Sequence, residues 1–227
     1  MAYFIQVLAV TEVLREKRKG SGMIKNAELT KKKIMSAAKK EFAAHGFDGA
    51  RVDVIAQRAH VNKQLIYYYF KNKDYLFVES LKECFATLRK VENAVNLEEN
   101  SAFDAILKLA RVTWDYYIKD PELIYLLASE NLMHARHLKE YKQEFLNINA
   151  SWLENTQRII EKGKIDKSIK ADIDPIELNI SVAGMIIFSI TNQYTLSYTL
   201  GRDLTSKEVR KMRIQSILDT IATWIKP

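Results

Sequence analysis

Proline and glycine are scarce in this chain, with three and seven occurrences in 227 residues. Few positions therefore interrupt a helix, and few supply the tight turns of a β-rich fold. Cysteine occurs once, as Cys84, which excludes an intrachain disulfide, and its setting in FVESLKECFATL fits a buried thiol of a reducing compartment. Glycine-rich phosphate loops, nucleophile elbows and His-Glu-x-x-His zinc pairs are all missing, so the enzyme classes built on them have no support, and no cofactor is expected. The opening MAYFIQVLAV is apolar but short, starts without basic residues and runs into TEVLREKRKG. Neither a membrane-spanning helix nor a signal peptide is expected from it, and the expected location is cytoplasmic. With no internal repeat, no low-complexity tract and no long strand-like alternation, the expected fold class is all-α.

What the chain does have is segregated charge. Residues 1–90 carry 18 Lys and Arg against 9 Asp and Glu, and residues 91–227 carry 17 against 19, so the net charges of the two parts are +9 and −2. A solvated Lys-rich face would explain the composition but not its confinement, which is the electrostatic footprint of nucleic-acid binding.

Residues 51–76 carry the pattern that uses this charge. Val52, Ile55, Ala56 and Ala59 recur at three- and four-residue spacing and predict a helix over 52–59. After His60 and Val61, Asn62 is placed to cap a second helix. In that helix Val61, Ile66 and Phe70 close a small core with Ile55, and Lys63, Gln64, Leu65, Tyr67, Tyr68 and Tyr69 stay on or near the surface. These residue types suit the major groove of double-stranded DNA: Gln pairs with an adenine edge, Leu touches a thymine methyl, and Lys and Tyr bind phosphates. Asn72 caps a further helix, whose positive end together with Lys73 forms a phosphate clamp. Upstream, Ile34, Ala37, Ala38 and Phe42 predict a supporting helix from about Glu28 to His45, stopped by Gly46.

The series GFDGARVDVIAQRAHVNKQLIYYYFKNKDYLF, residues 46–77, resembles the TetR family of transcriptional regulators in its Gly-aromatic, Val-x-x-Ile-Ala, Ala-x-Val, Tyr-Tyr-x-Phe and Lys-x-x-Leu spacings. The resemblance implies that Lys63, Gln64, Leu65, Tyr67, Tyr68 and Tyr69, with the capping Asn62, form the DNA-reading helix. It further implies that Lys73 binds phosphate and that Arg51 lies against the DNA backbone. Three positions depart from the family pattern: Ala50 replaces a capping Thr, His60 a Gly and Tyr69 a frequent His. The turn at residue 60 is expected to survive, since His enters the left-handed region more readily than most residues.

Downstream, helices are expected over 73–95, from the Ser101-x-x-Asp104 box to Asp120, through PELIYLLASENLMHARHLKEY, over 142–162 with Gly163 as its stop, from Asp174-Pro175-x-Glu177 to Leu200, and from Thr205-x-x-Glu208 to about Trp224. The run 178–200 is apolar enough to raise a membrane-spanning alternative, but Asn179, Asn192 and Gln193 favour burial between protein helices. The family resemblance implies a homodimer through the last two long helices, carrying Ile180, Met185, Ile187, Ile214, Ile217, Leu218, Ile221 and Trp224. Three parts follow: an N-terminal extension over 1–27, expected to be poorly ordered rather than a basic arm built on Lys17, Arg18 and Lys19; a helix-turn-helix domain over 28–76; and a helical ligand-binding and dimerisation domain over 77–227.

Trp114, Tyr117, Tyr125, Met133, Trp152, Phe188, Asn192 and Tyr194 are the candidates to line an effector pocket, each weighed against an ordinary core role. The segments DPELIYLLASENL and DP…GM…NQYTLS…GRDL resemble effector domains of repressors of pyrimidine and nicotinate use, which implies a planar nitrogen heterocycle as the small-molecule effector. Glu130, His134 and His137 share a helical face with metal-like spacing, but a further strong ligand is missing and no metal is expected. The expected function is a ligand-responsive DNA-binding regulator, a repressor released from a palindromic operator. An activator of the same fold, a helical enzyme and a non-specific DNA-binding protein are the alternatives.

Overall fold

The computed structural model describes residues 26–95 and 101–227, and for residues 2–25 only their membership of the first helix. The expected extension over 1–27 and the Lys17–Lys19 run thus fall almost wholly outside the described side chains. The elements are α1 (Ala2–Gly49), α2 (Val52–Ala59), α3 (Lys63–Phe70), α4 (Lys73–Asn93), α5 (Ala102–Lys119), α6 (Glu122–Leu132), α7 (Arg136–Glu140), α8 (Lys142–Ile165), α9 (Pro175–Thr191), α10 (Gln193–Leu200) and α11 (Lys207–Ile225). No strand occurs among the described residues, and the fold is all-α. The chain divides into two compact units, Met1–Phe77 and Val78–Pro227.

In the first unit the apolar stripes meet as their spacing requires. Ile34, Ala38, Phe42, Ile55, Ile66, Leu76 and Phe77 are almost fully buried, each large one contributing roughly 1.5–3 kcal/mol by leaving water. Gly46, at φ 67°, breaks α1 between His45 and Phe47 in a conformation that only glycine adopts freely. The break brings the Phe47 ring edge-on to Phe77 at 5.2 Å, and Phe42 meets the same ring at 5.0 Å. Glu41, buried at the end of this core, accepts the Arg51 amide at 3.3 Å and pairs with Arg58 at 2.9 Å. It thereby ties the chain entering α2 to α1, while no side chain caps the first turn of α2.

In the second unit the capping signals hold at several helix starts. Ser101 Oγ accepts the Asp104 amide at 3.1 Å and donates to its carboxylate at 2.7 Å, and Asp174 accepts the Ile176 and Glu177 amides at 2.8 and 2.9 Å. Glu130, fully buried, reaches across to cap α7: its Oε1 accepts the amides of His137 and Leu138 at 2.7 and 3.0 Å, and its Oε2 meets His137 Nδ1 at 2.7 Å. The pair is therefore committed to joining α6 to α7, with His134 exposed beside it. Among the described residues no three metal-ligating side chains gather.

Five expectations are corrected, the first being the helix expected through residues 121–141 with Glu130, His134 and His137 on one face: His134 and Ala135, at φ 55° and 58°, break it into α6 and α7. Gly163 does not stop α8, which continues to Ile165. A side chain there would put its Cβ 2.5 Å from Ala102 Cβ and 2.7 Å from Ile169 Cγ1, so this glycine permits close helix packing instead. The single helix expected over 175–200 is two, α9 and α10, bent by 69°. The cause is polar: Ser189 and Thr191 hydroxyls donate back to Met185 and Ile187 carbonyls, and Asn192 Nδ2 donates to the Phe188 carbonyl at 3.0 Å, all of which compete with the backbone ladder. No single described helix is long and apolar enough to cross a membrane, though the bent pair passes by composition. The last helix is capped by Ser206 rather than Thr205, whose amide and hydroxyl both donate to Asp203. Finally, Ile214, Ile217 and Ile221 lie in the interior of their own unit, because they sit on the stripe of α11 that packs on α5 and α9, and they are not available to a second copy.

Candidate DNA-reading face and ligand cavity

The tight turn that sets α3 after α2 is made by His60, at φ 56° and ψ 45°. Its amide and that of Val61 donate to the Gln57 and Ala56 carbonyls at 3.2 and 3.0 Å, so His occupies the left-handed position usually given to glycine. Asn62 Oδ1 then accepts the Leu65 amide at 2.8 Å. Ile66 and Phe70 face inward, and Lys63, Gln64 and Tyr68 face out, with Tyr68 78% exposed. Tyr67 is also exposed, whereas Leu65 and Tyr69 are half-buried.

Several of the cations around this helix are engaged. Lys63 Nζ lies 2.9 Å from the Asp53 carboxylate. That hydrogen bond and charge hold the Asp53 carboxyl below its usual range and raise the Lys63 ammonium. Lys73 is half-buried: its Nζ donates to the Asp48 carbonyl at 3.2 Å and lies 4.8 Å from the centre of the Phe47 ring. This anchors the start of α4, whose Tyr75 amide donates to Asn72 Oδ1 at 2.7 Å. Arg51 is exposed at the N-cap of α2. Two lysines not singled out from the sequence join the same face, Lys31 over the Tyr69 ring at 5.6 Å and Lys71 over Tyr75 at 5.1 Å. Lys32, Lys33, Lys40 and Arg58 line a groove along α1. The runs KKK and KK were the signal for the groove lysines.

The second unit holds a partly open cavity of about 200 Å³ walled by α4, α5, α6, α8 and α9. Its walls are mostly apolar, from Phe85, Leu88, Ile106, Leu127, Ile159 and Val182, but a polar cluster is set into one side. Glu92, 4% exposed, accepts the Thr113 hydroxyl at 2.8 Å and pairs with Arg89. Arg89 also donates to Asn149 Oδ1 at 2.9 Å and stacks 4.4 Å above the Trp152 ring. Burial raises the Glu92 carboxyl against the opposing pull of Arg89 and Thr113. Burial, and then the Glu92 charge, raise the neighbouring Tyr117 phenol. Trp152 Nε1 is buried without a hydrogen-bond partner, a donor left for whatever fills the space.

The expected pocket residues divide. Tyr117 and Trp152 line this cavity, and Trp114 and Phe188 line a second one of about 310 Å³. Tyr125, Met133, Asn192 and Tyr194 line neither. Asn192 is occupied at the α9–α10 break, and Tyr194 is 60% exposed. The sequence reading missed Arg89, Glu92 and Thr113. Their signal was an acid at residue 92 in register with the buried stripe of Leu81 and Leu88.

Two family models match the chain. The tetR family of bacterial regulatory proteins covers residues 34–79, and the tetracyclin repressor-like C-terminal domain covers residues 103–221. The HTH-type transcriptional repressor NicS of Pseudomonas putida is 31% identical over 193 residues, 85% of this chain and 91% of that one. The HTH-type transcriptional repressor SCO4008 of Streptomyces coelicolor is 38% identical over 112 residues, 49% of this chain and 54% of that one. Among solved structures, the transcriptional regulator SCO4942 of Streptomyces coelicolor has a TM-score of 0.65 at 19% identity, covering 87% of this chain and 99% of that one. FadR of Bacillus subtilis, solved with stearoyl-CoA, has a TM-score of 0.61 at 21% identity, covering 84% and 97%. These structural likenesses speak to the fold. The family models and the near full-length repressor relative settle the family: the protein belongs to the TetR family of helix-turn-helix transcriptional regulators.

Proposed function

We propose that the protein is a homodimeric repressor that holds a short palindromic operator through α2, α3 and the start of α4, and releases it when a small molecule enters the second unit. The observation that carries the reading is α3 itself, where buried Ile66 and Phe70 fix a helix whose Lys63, Gln64, Tyr67 and Tyr68 face solvent. On this reading Gln64 and Leu65 read base edges, and Arg51, Lys63, Tyr67, Tyr68, Tyr69 and Lys73 hold phosphates. Lys73 does so with the ammonium protons not given to Asp48. The helix-turn-helix domain is taken as 28–76 and the effector and dimer domain as 77–227, with 1–27 an extension, in a cytoplasmic protein that is not an enzyme.

The dimer is supported by one face of α9. Ile176, Ile180 and Phe188 are each 56% exposed at four-residue multiples, and Gly184 between them has nothing within 4 Å of a Cβ position. A second copy is the fitting occupant, because two reading helices must meet major grooves roughly 34–36 Å apart. The effector cavity is the one holding Glu92. A ligand that brings an acceptor to Trp152 Nε1 and a donor to Glu92 completes it, which suits a planar heterocycle with a ring N–H. Helix α4 begins at Lys73 in the first unit and carries Arg89 and Glu92 in the second, and a coupling of roughly 1–3 kcal/mol along it suffices for release.

The test is selection of bound fragments from random duplex DNA, followed by a screen of metabolites for release of the selected duplex. A palindromic consensus whose preference relaxes in Gln64→Ala, together with a releasing compound, is expected. Equal affinity for every duplex overturns the reading.

A further inference from the structure

We infer that the second unit holds a separate binding site for a small apolar carboxylate, in the cavity between α5, α9, α10 and α11, with Arg210 and Arg213 as its anion-binding groups. The cavity measures about 310 Å³, within the range that takes small ligands. None of the side chains that wall the Glu92 cavity takes part in it, although α5 and α9 contribute to both. It exists because α10 turns 69° away from α9, which sets Gln193, Leu196 and Leu200 opposite Arg210 and Arg213 on α11.

The polar groups are unevenly matched. Arg210 Nη2 donates to Gln193 Oε1 at 2.8 Å, and Arg213 Nε donates to Ser189 Oγ at 2.9 Å. Arg210 Nε is buried with no hydrogen-bond partner. No acidic side chain lines the cavity, and among the described residues neither guanidinium forms an ion pair. Asp203 senses the Arg210 charge, but its carboxylate is taken by the Thr205 amide and hydroxyl at 2.8 and 2.6 Å. Asp203 offsets part of the Arg210 charge from outside the cavity, and Arg213 is exposed. The feature that calls for an anion is therefore the buried Arg210 Nε, a donor without an acceptor, with a second guanidinium beside it and no acid in the wall. A carboxylate matches the guanidinium fork in shape. The remaining wall is apolar, with Trp114, Ile118, Ile190 and Leu204 among its residues, so the rest of the ligand is a hydrocarbon chain or ring. A phosphate dianion, with more oxygens to satisfy than this wall has donors, fits less well.

The experiment is titration calorimetry on the full chain with octanoate and with benzoate, each against its neutral amide. Saturable binding of at least one carboxylate, at least tenfold tighter than the amide, is expected, and which of the two binds tells whether chain or ring fills the wall. Arg210→Met and Arg213→Met each weaken that binding tenfold or more with circular dichroism unchanged, and Glu92→Gln leaves it as it was. Absence of saturation with both carboxylates, or an amide bound as tightly, overturns the site in the unaltered protein whether or not the variants fold. Because no operator is involved, the outcome is independent of the DNA-binding assays.

Discussion

The two units use polar chemistry in opposite directions. In the first, the side chains that matter for recognition stand outside an apolar core: Gln64 and Tyr68 are exposed above buried Ile66 and Phe70. In the second, charged and hydrogen-bonding groups are turned inward, as with Glu92 and Arg89, Glu130 and His137, and Gln193 and Arg210. A surface reader can be altered without disturbing what holds it, because its contacts are made with DNA and water. An inward polar group is part of the fold as well as of the site, since each one is desolvated and must be satisfied by neighbours. Recognition and stability should therefore separate at exposed readers such as Gln64 and Tyr68, and travel together at the inward polar groups of the second unit.

The largest effect tests the support beneath the reader. Phe42→Ala removes a fully buried ring that packs on Phe77 and should cost about 3–5 kcal/mol, seen in urea unfolding as loss of the first unit and of all duplex binding. Tyr68→Phe should leave stability within about 0.5 kcal/mol and weaken operator binding by about 1.5–3 kcal/mol, the worth of a hydrogen bond to a charged group. A fall in unfolding midpoint with unchanged affinity would reverse the assignment for the first unit. Gly163→Ala drives a Cβ into Ala102 and Ile169 and should destabilise the second unit by about 1–3 kcal/mol. Asn62→Ala removes the acceptor for the Leu65 amide and should cost about 1 kcal/mol, felt in thermal melts and as a matching small loss in operator affinity.

The same contrast explains what the sequence made legible. Val52, Ile55, Ala56, Ala59, Ile66 and Phe70 are apolar residues at helical spacing, and Asn62, Asn72, Ser101 and Asp174 are caps, so local pattern alone placed α2, α3, the start of α4, α5 and α9. Gly163 misled because a glycine at the end of an apolar pattern reads as a stop, and only the approach of Ala102 and Ile169 shows its other use. The break at Asn192 was hidden in an apolar run whose hydroxyls bond to their own helix. Ile214, Ile217 and Ile221 were assigned to a second copy by the family resemblance, which names the helices that pair but not which face of α11 its own unit buries. Arg89 and Glu92 were not singled out, because one charged pair at three-residue spacing on a helix carries no signal of its own. Their burial depends on Thr113, Asn149 and Trp152, which lie on two other helices and are brought together only by the tertiary packing.

The smallest effect is the one that most directly tests the inward half of the comparison, because it changes a single proton. Burial lifts the Glu92 carboxyl above its ordinary 4.5, so the folded chain holds that proton more tightly than the unfolded chain does. As pH rises from 4.5 toward the raised folded value, the unfolded state sheds the proton first and gains relative to the native state. Stability contributed by this group is therefore greatest below 4.5, declines across that window and is level above it. Glu92→Gln keeps an oxygen for the Thr113 hydroxyl and for Arg89 but has no proton to exchange, so its urea midpoint should lack that declining segment. Tyr117, whose phenol is raised partly by the Glu92 charge, should relax toward lower values in the same variant. If the wild-type and Glu92→Gln midpoints run parallel across the window, the carboxylate is not desolvated in solution, and the second unit does not couple its polar chemistry to its fold at this cavity.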